Sequence, residues 1–321
     1  MRFGVFTSMG GRSFEEVREL WIHLEATGWD IACVTDHFMP NTETRDGPVL
    51  EGWTTLSALA NTVPDMRVGT IVLGNTYRHP AVLAKMAAQL DIITNGRLLL
   101  GMGAGWQQNE HEAYGLPFYT IGERLARLDE ACEVMRSLWT QSRSNYDGRY
   151  YELVDAPLEP KPVQSPYPEL MIGGGGEKVT LRIVAQHADH WNVWGGPQVL
   201  AAKGAILNQH CERRERDPKS LRRSANMALL VSDKQSEVDD LAATIAARMG
   251  KHAANAADTC LAGSRAQIED KLEALLTAGV DTLFVPTLFR SLTDLRDDMD
   301  VLMNDIAPAF RDRWPTGFVT T

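Results

Sequence analysis

The sequence predicts an α/β fold, a (β/α)8 TIM barrel with an insertion between helix 4 and strand 5. Three observations carry this expectation. Eight apolar runs alternate with amphipathic helical stretches, and regular alternation builds a parallel sheet. The runs are nearly continuous in apolar residues, as strands buried on both faces are. The length of 321 residues suits eight such units plus an insertion, and no linker divides the chain, so residues 1–321 read as one barrel domain.

Each element has its own signal. Arg2–Thr7 is the first strand. Ser13 and Glu16 then form a capping box for a helix with Val17, Leu20, Trp21 and Leu24 on one face, ended by Gly28. Residues 31–34, Ile-Ala-Cys-Val, make the second strand, and a helix follows over about 51–61. Residues 67–73 form the third strand, broken at Gly74-Asn75, and Pro80 opens the third helix. Residues 97–103 are the fourth strand. Thr120 and Glu123 cap a long helix striped with Leu125, Leu128, Cys132, Met135 and Leu138. Residues 142–168, rich in tyrosine and proline, break the rhythm and predict an inserted hairpin or flap followed by a stiff connection. Strands five to eight are expected at 169–172, 189–194, 224–231 and 281–287. Ser232 with Gln235 and Ser264 with Gln267 cap two of the intervening helices, and a final helix spans about 291–310.

Composition narrows the function. The formal net charge of −10 argues against nucleic acid as a partner. No run reaches the roughly 18 apolar residues of a membrane span, and the N-terminus lacks a signal-peptide core. Cys33, Cys132, Cys211 and Cys260 are scattered without metal-like spacing, and a reducing cytoplasm fits them.

Four stretches could carry chemistry. The second strand ends in Thr35-Asp36-His37, delivering a carboxylate and an imidazole to the sheet edge where barrels place their active sites. The other reading is a loop start that caps backbone. Gly173, Gly174, Gly175 and Gly176 lie between a strand and a helix, where backbone N–H groups could cradle a phosphate. A permissive turn is the plainer alternative. Gly101, Gly103 and Gly105 resemble a dinucleotide fingerprint, but Trp106 holds the place of its third glycine and no clear helix follows. Trp106, Trp191 and Trp194, at the ends of strands four and six, could wall a pocket or pack in the core. His187 and His190 lack companions for a metal site. His111, between Glu110 and Glu112, reads as a solvated turn.

Three pieces together resemble the luciferase-like flavin and deazaflavin oxidoreductases: Val34-Thr35-Asp36-His37-Phe38, the stretch 74–106, and residues 172–178. The resemblance covers nearly the whole barrel. It implies an isoalloxazine-like ring at the strands' carboxyl end. Asp36-His37-Phe38 favours the deazaflavin coenzyme F420 over FMN, and so a hydride exchange with a small organic substrate. The resemblance also implies a non-proline cis peptide within 72–75, with Leu73, Gly74 and Asn75 at the ring. It implies cofactor phosphate on Gly174 to Gly176, cofactor binding by Asp36, and His37 as general acid. A homodimer is a further expectation. The chain departs from the deazaflavin-dependent sugar-phosphate dehydrogenases at Asn41, Trp106, Trp194 and Pro197, which points to an apolar substrate. An FMN-dependent monooxygenase and a non-catalytic flavin or deazaflavin carrier are the alternatives.

Overall fold

Strand β1 (Arg2–Thr7) pairs in parallel with β2 (Ile31–Val34) on one side and with β13 (Thr282–Pro286) on the other. From this seam the sheet runs through β3 (Arg67–Thr70) in one direction. In the other it runs through β10 (Arg222–Asn226), β9 (His190–Trp194), β8 (Glu169–Gly173) and β5 (Leu98–Gly103). Pairing of β3 with β5 closes the ring. A short β4 (Leu73–Gly74) resumes β3 beyond an interruption, so the closed sheet is an eight-stranded parallel barrel. The computed structural model describes residues 1–249 and 256–315.

The helices fill the connections: α1 (Phe14–Ala26), α2 (Gly52–Leu59), α3 (Pro80–Ile93), α4 (Gln108–Tyr114), α5 (Ile121–Thr140), α6 (Thr180–His187), α7 (Pro197–Glu212), α8 (Gln235–Met249), α9 (Arg265–Thr277) and α10 (Leu292–Val301). The capping boxes at Ser13 and Ser264 form as expected. Two others form only in part. Thr120 accepts from the Glu123 N–H, but the Glu123 carboxylate turns to Arg127. Ser232 accepts from the Lys234 N–H and donates to Glu237, leaving Gln235 to bond Asp239.

The insertion is an antiparallel hairpin, β6 (Ser144–Asp147) with β7 (Glu152–Ala156). Glu130 of α5 pins its turn by accepting from the Arg149 and Tyr150 N–H groups. The seventh predicted strand, 224–231, is two strands. At Met227, whose N–H donates to Phe284 O, the chain leaves the barrel. It then continues as β11 (Ala228–Val231), paired with β12 (Cys260–Gly263), a strand absent from the sequence reading. An unbroken apolar run hides such a change of partner.

Side chains of successive residues face opposite sides of each strand. Inward-facing Phe6, Cys33, Ile71, Leu99, Met171 and Phe284 fill the barrel, and outward-facing residues join the larger core beneath the helices. The four cysteines are free thiols and all are buried. No described helix is long and apolar enough to cross a membrane.

The floor of the barrel is ionic. Glu169, at the first position of β8, bonds Arg67 and accepts from His190 Nδ1 at 3.0 Å. Burial pushes the Glu169 carboxyl up, but Arg67 and His190 outweigh it and hold it well below the usual carboxylate range. Its folded pKa is therefore depressed, and its stabilisation is present above the unfolded value of about 4.3 and lost as pH falls through the folded value. Glu169→Gln leaves Arg67 without its counter-charge and is expected to cost about 3 kcal/mol at pH 7. Urea unfolding at pH 7 and pH 4 checks this, and the gap between parent and variant should not widen on acidification.

Candidate active site

His37 and Glu110 meet at the carboxyl end of the barrel. His37 lies three residues beyond β2, and α4 carries Glu110. Glu110 Oε1 is 2.9 Å from His37 Nδ1, Oε2 accepts from the Phe38 N–H at 2.8 Å, and the Tyr77 hydroxyl donates to Oε1. The Glu110 side chain is wholly buried. Burial pushes its carboxyl up, but the bonds from His37, Phe38 and Tyr77 prevail and keep it below the usual carboxylate range. The same burial, with Glu110 beside it, drives the Tyr77 hydroxyl far above its ordinary range. An ionised carboxylate can only accept, so Nδ1 of His37 carries the hydrogen and Nε2 is left for a ligand. Trp106 stands edge-on to the imidazole at 5.4 Å.

The solvated turn expected around His111 is instead helix α4. Glu110 and His111 are both fully buried, and His111 spans Gln107 O and Thr76 Oγ1 at 2.7 Å each. The missed signal was Gly115, which ends α4 in the left-handed region at φ 68°. A helix before it places Gln107, Glu110, His111 and Tyr114 on one face.

Asp36, two residues beyond β2, takes partners separate from those of His37. Its buried carboxylate accepts from the Gly74 N–H at 3.1 Å and from both terminal nitrogens of Arg78 at 2.8 and 2.9 Å. Arg78 also holds Glu51, which caps α2. Asp36 thus fixes the backbone where β2, β4 and α3 meet. Both of its oxygens are engaged by these donors.

The cis peptide falls at Ile71–Val72, one bond before the expected window of 72–75. It lies between β3 and β4. Leu73 packs outward into the large core, and Gly74 lies against the Tyr77 ring. Asn75 is buried, with Nδ2 3.4 Å from Tyr151 Oη and no partner for Oδ1 among the described residues. The side chain at the barrel mouth is Val72. A Cβ on Gly103 or on Gly173 would stand 2.9 Å from its methyl groups, so both strand ends are glycine to admit it.

The four glycines wrap the next corner. Gly174, at φ 139°, donates to Asn192 O, and its carbonyl accepts from Trp191 Nε1. A Cβ on Gly176 would lie 2.7 Å from Thr180 Oγ1. Gly175 and Gly176 line an open cleft of about 360 Å³ with Leu125, Lys178 and Lys203. Lys203 is tied to Gly175 O and Glu177, and α6 begins here without a side-chain cap. Arg124, one residue before Leu125, is buried above the Phe118 ring, with Nε and Nη1 unpartnered among the described residues.

Of the three tryptophans, two reach the mouth. Trp106 is 61% exposed, and Trp194 packs on Phe6 and Phe289 at the top of the barrel interior. Trp191 does not wall a pocket. It is fully buried in the outer core, because residues three apart on a strand face opposite sides. His187 bonds Asp129, and His190 belongs to the barrel floor.

Comparison with known proteins places this architecture. The chain is 38% identical over 159 residues to the F420-dependent glucose-6-phosphate dehydrogenase of Amycolatopsis mediterranei (strain U-32), a match covering 49% of this chain and 47% of that protein. The corresponding protein named for Segniliparus rotundus is 38% identical over 176 residues, covering 54% and 50%. The chain spans about half the length of the curated relatives it matches. Among solved structures, an F420-dependent secondary alcohol dehydrogenase bound to an F420-acetone adduct superposes with a TM-score of 0.83 at 20% identity, covering 97% of this chain and 99% of that one. The coenzyme F420-dependent tetrahydromethanopterin reductase of Methanopyrus kandleri gives 0.79 at 18%, covering 96% and 99%. These two share the fold. The family model described as luciferase-like monooxygenase matches residues 1–274, and the chain belongs to that family.

Proposed function

We propose that the chain, read as one barrel domain over residues 1–321, is a coenzyme F420-dependent oxidoreductase acting on a small organic substrate. The observation that carries the reading is the His37–Glu110 pair at the carboxyl end of the barrel, which engages Nδ1 and leaves Nε2 without a partner among the described residues. The names of the curated relatives favour the deazaflavin, as does the Asp36-His37-Phe38 sequence.

The residues present fit such a group. Unpartnered Nε and Nη1 of Arg124, with the backbone around Gly174, Gly175 and Gly176, suit an anionic phosphate. Val72, between Gly103 and Gly173, offers a flat apolar support for a ring. Leu73, Gly74 and Asn75 hold that support in place, and Asp36 holds Gly74. When bound, the deazaflavin supplies a two-electron partner for the hydride of a carbinol C–H bond, so the hydroxyl proton falls to the protein.

His37 Nε2 receives that proton in the oxidative direction and returns it to the carbonyl oxygen in the reductive one. Glu110 keeps the tautomer and steadies the imidazolium, as a positioning residue. Trp106 shields one edge of the imidazole.

Titration of the purified protein, followed by cofactor fluorescence, should show tighter binding of F420 than of FMN. Tighter FMN binding with oxygen consumption on reduction would select the flavin monooxygenase. Asp36→Ala should weaken F420 binding by loosening Gly74.

His37→Ala should retain F420 affinity and lose about 10²–10⁴ in single-turnover rate. Glu110→Gln replaces a pure acceptor with a group able to donate to Nδ1, which favours hydrogen on Nε2. Its turnover should fall by a similar factor, with an altered pH profile. The double variant should be no slower than His37→Ala alone, because the two act as one unit. Parent-like turnover in His37→Ala, with tight F420 binding, would assign the proton to another group; no turnover of any substrate in the parent would favour the carrier.

A further inference from the structure

An apolar wall runs round the mouth from β1, next to the strand of His37, past the loop after β13 to β9 on the opposite side. Trp194, at the end of β9, packs on Phe6 of β1 at 5.8 Å between ring centroids and edge-on to Phe289 at 5.9 Å. Leu288 completes the panel, half-buried beside Trp194 in the inner apolar cluster. Strands β2 and β9 sit four places apart in the closed eight-stranded order, so His37 and Trp194 face each other across the mouth.

The loop that carries Leu288 and Phe289 is held by arginines. Arg12 donates from Nη2 to Thr287 O at 2.7 Å, and from Nε to Ser8 O at 3.2 Å. Arg248 donates to Leu288 O at 2.6 Å. Arg290 reaches out of the loop to Leu229 O at 2.9 Å and to the Asp298 carboxylate. The hydrogen bonds of Arg12 and Arg248 at this wall thus go to main-chain oxygens, and Arg290 is paired with Asp298. Arg78, on the His37 side, is taken by Asp36 and Glu51, and Arg45 by Glu112. Among the described residues, the mouth offers a substrate one proton-transfer atom, His37 Nε2, between aromatic and aliphatic surfaces.

A carboxylate or phosphate brought against this panel would lose its hydration and meet no cation among Phe6, Trp194, Leu288 and Phe289, which is unfavourable. A flat apolar group would gain area against Trp194 and Phe289. We propose that the substrate exchanged at His37 is an uncharged hydroxy or oxo compound whose carbinol or carbonyl carbon bears a bulky apolar or aromatic group. Phe6, Trp194, Leu288 and Phe289 receive that group and set the specificity. This rests on the oxidoreductase reading and deepens it.

The test uses 1-phenylethanol and mandelate, which share the ring and the carbinol and differ in a methyl against a carboxylate. F420 is titrated first; absence of binding would count against the oxidoreductase reading itself, whatever the substrate. Calorimetry on the F420-loaded protein then measures both compounds. The uncharged member should bind at least about 100-fold more tightly and be turned over with a correspondingly higher kcat/KM. Phe289→Ala should raise its KM about tenfold, with the F420 titration unchanged as evidence of an intact fold. Equal or tighter binding of mandelate, its loss on Arg12→Gln, or no binding of 1-phenylethanol overturns the proposal. So does turnover of glucose 6-phosphate in preference to the uncharged alcohol.

Discussion

Glu110 is a wholly buried carboxylate whose three donors come from three different residues: the imidazole of His37, the N–H of Phe38 and the hydroxyl of Tyr77. A lone carboxylate in that position would protonate or drag water inward. With three donors it remains charged and becomes the fixed point to which the ends of the second and third barrel strands are referred. Removing any donor leaves part of an anion unsatisfied, so the joined segments hold their mutual positions cooperatively. The orientation of His37 follows from this constraint rather than from packing around its ring.

A second carboxylate does the same work on the other face of that strand end. Asp36 gathers the Gly74 N–H and the Arg78 fork, and Arg78 passes the tie to Glu51 at the start of α2. The interruption between β3 and β4 therefore sits between two anchored ends. Val72 emerges there into the gap left by Gly103 and Gly173. Val72 and His37 are thus positioned by neighbouring, separately satisfied polar networks, which is how rigid constellations are built on strand ends.

Much of this was legible in the sequence, for physical reasons. Buried parallel strands must be apolar along their length, and capped helices must alternate with them, so the barrel and its hairpin insertion could be read directly. The position of His37 followed from the abrupt end of an apolar run. What escaped was long-range. Nothing local to Glu110 shows that its partners are His37, 73 residues away, and Tyr77, 33 away. The division of residues 222–231 between β10 and β11 depends on the partner each half finds. Trp191 is different: the two-residue period of a strand already puts it on the face opposite Trp194, and taking both as pocket walls overlooked that.

The arginine ties on residues 287–290 act on main-chain oxygens, not on the side chains that project into the mouth. A loop fastened by its backbone keeps its path when its side chains change. Leu288 and Phe289 can therefore drift under mutation without the loop losing its place. His37 enjoys no such freedom, since its own side chain is part of the fastening. The barrel thus divides into a half that evolution or an engineer can vary and a half that must stay as it is.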